Sequence, residues 1–171
     1  QLTERIAHIG SRGALDIEGL GDEAAGALTR PDAGRREALT ALAAGRSLET
    51  EGGRLSLPPG ELDSLHVSQR VEAVEELLRQ AGVTEQTPVL TGEAALFDLT
   101  EDDLREVFVW RPVSRRGVPT GDWRLSRFFW TKQTYDADGR VKKATAPGKN
   151  ATAMLSQLRQ DRSRPLWRIL V

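Results

Sequence analysis

Apolar residues recur about one helical turn apart at Leu2, Ile6 and Ile9, which predicts a short helix broken by Gly10-Ser11-Arg12-Gly13. A second helix is predicted behind Gly19-Leu20-Gly21. There Asp22 and Glu23 suit the positive end of a helix dipole, and Ala24, Ala25 and Ala27 extend the helix readily. Asp32 is placed to cap a helix through Leu42 that Gly45 stops, and Glu51-Gly52-Gly53 and Pro58-Pro59-Gly60 interrupt the stretch beyond it. Ser68 opens a clearer helix with Val71, Val74, Leu77 and Leu78 on one face and Gly82 at its end. Thr100 and Asp103 form a capping box with a short acid, and Leu104, Val107 and Phe108 supply the buried side.

The texture then turns towards strands. Trp123-Arg124-Leu125-Ser126-Arg127-Phe128-Phe129-Trp130 is rich in strand formers, Asp136-Ala137-Asp138-Gly139 is a turn, and Arg140-Val141-Lys142-Lys143 reads as the returning strand. Pro147-Gly148-Lys149-Asn150 enters a helix carrying Met154, Leu155 and Leu158, and a last helix starts near Pro165 with Leu166, Trp167, Ile169 and Leu170. The expectation is one mainly α domain over residues 1–171. It carries a helical insertion at 29–88 and, within an insertion at 111–146, a small β-hairpin near 120–145.

Composition adds bounds. Hydrophobic residues make up 39% and charged residues 29%, an ordinary balance for a water-exposed domain. No apolar run nears the roughly 18 residues that span a bilayer, so no membrane partner is expected. The start Gln1-Leu2-Thr3 is no secretory leader, and both ends read as cuts through a longer chain. The absence of cysteine excludes disulfides, thiol nucleophiles and a cysteine zinc site here, and a cytoplasmic setting is expected. The net charge of −1 conceals an asymmetry: residues 1–110 hold 10 Lys/Arg against 21 Asp/Glu, whereas 111–171 hold 14 against 4. A polyanion would be drawn to the second part.

One segment carries a mechanism. In Ser11-Arg12-Gly13-Ala14-Leu15-Asp16-Ile17-Glu18-Gly19-Leu20-Gly21-Asp22, a Gly-apolar-Gly bend stands at the entrance to a helix. Its glycines let the main chain approach a ligand, and the helix behind them offers unpaired N–H groups to a phosphate. Leu20 anchors the bend in the core. Such contacts read the DNA backbone, not the bases. This string resembles the segment just past the zinc finger of bacterial NAD-dependent DNA ligases. Ala95-Leu96-Phe97-Asp98-Leu99-Thr100 resembles the family's LFxLT segment, Gly148-Lys149-Asn150-Ala151 the start of its second hairpin's helix, and Pro165-Leu166-Trp167-Arg168 the helix beginning the next pair.

The resemblance covers about residues 1–28, 94–110 and 147–171. It implies a helix-hairpin-helix DNA-binding domain and DNA-contacting residues at Arg12, Gly13, Gly19, Leu20, Gly21, Gly148, Lys149 and Asn150. It also implies nicked duplex DNA and the other ligase domains as partners, in replication and repair. The parent would seal nicks with NAD as AMP donor, and Mg and Zn are implied for it. None of these cofactors, and no catalytic or metal-binding residue, is expected within this chain, because it contains neither a Lys-x-Asp-Gly motif nor a cysteine set. Residues 29–88 and 111–146 depart from the family, and Ala146-Pro147-Gly148 lacks the second hairpin's leading glycine. The alternative is a non-catalytic helix-hairpin-helix module of another DNA repair protein. A third option is that 29–88, being acidic, docks a protein.

Other features read more blandly. His8 and His66 stand apart with no cysteine near and are taken as surface or packing residues. Asp136-x-Asp138-Gly139 lacks the later ligands of a calcium loop and is taken as a turn. Glu101-Asp102-Asp103 marks a helix start. The aromatic residues of 123–130 are assigned first to core packing, with Arg124, Arg127 and Lys132 adding to DNA attraction.

Overall fold

The computed structural model describes residues 1–162. The helix expected near Pro165 lies outside the described residues. The helices are α1 (Leu2–Ile9), α2 (Asp22–Thr29), α3 (Arg35–Ala43), α4 (Pro59–Ser64), α5 (Val67–Gln80), α6 (Glu101–Arg105) and α7 (Lys149–Arg162), with a 3-10 turn at Ala94–Asp98. The strands are β1 (Leu48–Thr50), β2 (Gly53–Leu55), β3 (Phe108–Arg115), β4 (Val118–Arg127), β5 (Trp130–Thr131), β6 (Thr134–Tyr135), β7 (Val141–Lys143) and β8 (Ala146–Pro147).

These elements form two compact units. The first comprises Gln1–Pro31, Thr87–Val107 and the described residues from Arg127 on, and the second comprises Asp32–Gln86 and Phe108–Ser126. Most of the ligase-like segments fall in the first unit. The second takes most of 29–88 and the opening half of 111–146, which depart from the family.

In the first unit α1 packs on α2. Ile6 and Leu28 are buried, the hydroxyls of Thr3 and Thr29 share a 2.6 Å hydrogen bond, and the Leu90 N–H donates to the Leu28 carbonyl. The stretch 94–105 lies on α7, where Leu96, Leu104, Met154, Leu155 and Leu158 are all buried. Thr100 accepts from the Asp103 N–H while the Asp103 carboxylate accepts from the Thr100 N–H, closing the capping box that starts α6. Phe129 and Trp130 belong to this core. The Trp130 indole N–H donates to the Glu101 carbonyl at 3.0 Å, and the Arg105 guanidinium lies 4.5 Å from the centre of the Trp130 ring.

In the second unit a four-stranded sheet runs in the order β2-β1-β4-β3. β1 pairs antiparallel with β2 and parallel with β4, where Leu48 stands opposite Trp123 and Glu49 opposite Arg124. Arg116 and Gly117, at φ 52° and 77°, make the two-residue turn from β3 to β4; two positive φ values in succession match the twist of paired strands. Ala38, Leu42, Leu48, Val74, Leu78 and Trp110 form the core between this sheet and helices α3 and α5.

The expectation of a mainly α, helix-hairpin-helix domain is therefore corrected. The described residues are 42% helical and 20% strand with a mixed four-stranded sheet, and no helix-hairpin-helix is shown among them. The block 29–88 is not purely helical, since it holds β1 and β2 around Glu51-Gly52, where the sequence offers only a loop. Strands this short carry little local signal, and β1 finds its parallel partner 75 residues away. The returning strand over 140–143 pairs with Thr134 and Tyr135 instead of with 123–130, so 111–146 holds two separate hairpins. Asp32 is not the helix cap: α3 begins at Arg35 with Gly34 in the cap position, and the Asp32 carboxylate accepts from the indole of Trp110 and from Gln86.

Asp122 offers a check on the second unit. Its carboxylate accepts from the Ser47 N–H at 3.0 Å, and this bond, with the nearby Arg54 and Arg46 charges, lowers its pKa despite partial burial. A lowered folded-state pKa contributes stability above the unfolded carboxylate value, and that stability is lost as the pH falls through the folded value. Asp122→Asn is expected to flatten the acid limb of a stability-against-pH curve below about pH 4. An unchanged acid limb would contradict the coupling.

Candidate nucleic-acid interface

The bend between α1 and α2 is built by its own main chain. The Ile17 N–H donates to the Gly10 carbonyl, Leu15 to Ile9 and Asp16 to Ser11, so the loop folds back on the end of α1. Ile17 and Leu20 are buried, and the Leu20 N–H donates to the Ile17 carbonyl at 3.2 Å. That amide is already used, which leaves Leu20 an anchor with no donor to offer a phosphate. Gly19 holds φ +83°, in the left-handed region, and a Cβ there would meet the Asn150 carbonyl oxygen at 2.7 Å.

That contact brings two of the sequence-selected stretches together. The bend leading into α2 rests on the first turn of α7. Gln157, two turns along α7, completes the attachment: its amide oxygen accepts from the Glu18 N–H at 2.5 Å and its NH2 donates to the Asp16 carbonyl at 3.0 Å. Sequence reasoning misses Gln157, because a glutamine on a helix is ordinarily a solvated surface residue and nothing local marks it.

The two helix starts differ electrostatically. α2 begins with Asp22 and Glu23, whose carboxylates already complement its dipole and repel a further anion. Gly21 is open and exposed; no atom lies within 4 Å of where its Cβ would be. α7 begins with no acid in its first turn and with Lys149 exposed. The Gly148 N–H donates to the Phe129 carbonyl at 2.6 Å, and a Cβ on Gly148 would come within 2.9 Å of that oxygen. The next amides, of Lys149 and Asn150, belong to the first helical turn, which has no partner within the helix. The start of α7 is thus the better anion receptor, although the Gly-Leu-Gly bend carries the stronger sequence signal. Arg12 and Gly13 are exposed on the turn after α1, and no described contact ties them to α7.

The remaining candidates behave as ordinary structure. The Asp136 carboxylate accepts from the Asp138 and Arg140 amides and so builds a turn. His8 and His66 are exposed. Among the described residues no group of three or more His, Cys, Asp or Glu could hold a metal ion, and no helix is long and apolar enough to cross a membrane.

Comparison with known proteins supports a DNA ligase fragment: proteins named DNA ligase are similar to the chain along its whole length. Particular relatives are the DNA ligase of Paenarthrobacter aurescens, 31% identical over 171 residues, and that of Kocuria rhizophila, 35% identical over 182. DNA ligase 1 of Pseudarthrobacter chlorophenolicus is 32% identical over 171 residues. All of this chain is covered in each case, but it spans only 15% to 17% of the length of these relatives. No family model and no solved structure matches.

Proposed function

We propose that this chain is a DNA-gripping part of an NAD-dependent DNA ligase, holding duplex DNA by its phosphates while other domains of the same protein seal the nick in replication and repair. One phosphate would sit at the start of α7, on the Lys149 and Asn150 amides and the Lys149 ammonium. The neighbouring Gly21 end of the bend would meet an adjacent part of the backbone. The observation supporting this reading is the docking of the Gly19 bend on the first turn of α7, which brings two openings of the main chain together in one unit. The end-to-end similarity to proteins named DNA ligase supports the substrate class. Contacts of this kind touch no base edge, so duplexes of unrelated sequence should bind alike. A cytoplasmic setting goes with this role.

NAD, Mg and Zn belong in this reading to the rest of the parent. The residues here do not fit them: the chain has no Lys-x-Asp-Gly motif and no cysteine. The chain alone should therefore leave nicked duplex unsealed when NAD and Mg are supplied.

The test is duplex binding by the chain, measured by fluorescence anisotropy as salt rises. Affinity is expected to fall by at least about tenfold between 50 and 200 mM salt, since each phosphate contact contributes a slope near −0.9 on a log–log plot. Lys149→Glu is expected to lower affinity by about tenfold and to leave the thermal transition unchanged, because Lys149 is exposed. A salt-independent affinity, or full binding by the Glu variant, would remove α7 from the interface.

A further inference from the structure

The hairpin of β6 and β7 stands out by what it does not bury. Tyr135, Val141, Lys142 and Lys143 are all exposed, as are Lys132 before it and Arg140 in its turn. Tyr135 and Val141 are cross-strand partners, 59% and 51% exposed, so they form one apolar spot on the ribbon. An isolated two-stranded hairpin gains little stability in water without a buried face. This one is held at its turn by the Asp136 carboxylate and along its length by a two-strand ladder. The register passes from Thr134 opposite Lys143 to Tyr135 opposite Val141, leaving Lys142 as an extra residue in a bulge, a device that twists a strand and re-aims its side chains.

Four exposed cations thus accompany one exposed apolar pair in and beside the ribbon, and the two acids of the hairpin, Asp136 and Asp138, lie in its turn. Asp136 is occupied with turn amides there. The chain runs from this ribbon through β8 directly into α7 and Lys149. We propose that the β6–β7 ribbon is a second DNA contact, laying Lys132, Arg140, Lys142 and Lys143 along the phosphates and Tyr135 with Val141 against the sugars of a groove. Two-stranded ribbons fit DNA grooves, and an apolar pair flanked by cations matches the apolar sugar edge between charged phosphates. The inference rests on the reading of this unit as a DNA-gripping part and extends its footprint beyond the start of α7.

Duplex binding by the full chain tests it. Replacing Arg140, Lys142 and Lys143 together by Gln is expected to weaken binding by about tenfold or more at 100 mM salt and to make the salt slope shallower by about two to three. Tyr135→Ala is expected to weaken binding about fivefold with the slope unchanged, the mark of an apolar contact. Thermal unfolding of both variants should match the unaltered chain, because these side chains are exposed.

Unchanged duplex affinity in the triple variant, with Lys149→Glu still weakened, would overturn the ribbon and spare the α7 reading. Equal losses towards heparin and duplex, with Tyr135→Ala silent, would mark a general polyanion patch and also overturn it. Absence of duplex binding by the unaltered chain at low salt would overturn both readings together.

Discussion

Gly19→Val should destabilise the first unit by about 3 kcal/mol or more and abolish duplex binding with it. Two costs combine. At φ +83° a side chain with a branched Cβ is held in a strained region, worth about 1–3 kcal/mol. The new Cβ would also lie 2.7 Å from the carbonyl oxygen of Asn150, which is main chain in the first turn of α7 and has little room to yield. Relief means lifting the bend off α7, and that stretches the Gln157 bonds to Glu18 and Asp16. Gly21→Ala is the control, since Gly21 has φ −98° and open space around it. Its effect should stay within about 0.5 kcal/mol. Denaturant unfolding of the two variants checks this, and a Gly19→Val midpoint equal to that of the unaltered chain would refute the docking.

Asp32→Ala should be comparably damaging to the second unit, by about 2–5 kcal/mol. One carboxylate accepts from the Trp110 indole N–H at 3.0 Å, from the Gln86 N–H at 2.7 Å and from the Gln86 side-chain amide at 2.9 Å. Gln86 in turn accepts from the Phe108 N–H and donates to the Phe108 carbonyl. Asp32, Gln86 and Phe108 are the residues at which the chain enters, leaves and re-enters this unit. The network therefore fastens the ends of two segments that sequence separates. Removing the carboxylate leaves donors without partners. Asp32→Asn keeps one acceptor oxygen and should cost clearly less. Urea unfolding monitored by tryptophan fluorescence would report the loss, and equal midpoints for the Ala and Asn variants would argue against this account.

These two positions also mark how far local reasoning reaches. The sequence singles out Gly19 for the freedom of a bend facing a phosphate. The structure does use that freedom, but in part to let another helix approach. Asp32 looks like a helix cap but stands too far before α3 to serve as one. An aspartate ahead of an alanine- and leucine-rich run looks the same whether it meets amides of its own helix or an indole 78 residues away. Lys149 and Gly148 are legible as a helix entrance. Gln157 is not, because its role exists only once α7 lies beside the bend.

The sequence by itself determined the helices α1, α2 and α5 to within a residue or two, the entrance of α7, the Thr100 capping box, the turns at Gly82 and Gly139, and the likeness to a DNA ligase. These rest on periodicity, capping and turn chemistry, which act over a few residues and are written locally. Tertiary structure alone decided the mixed sheet, the division into two interleaved units and the meeting of Gly19 with Asn150. Each depends on contact between distant segments: the sheet becomes mixed only when the three-residue β1 meets β4, and a short strand or a glycine carries almost no signal until its partner is in place.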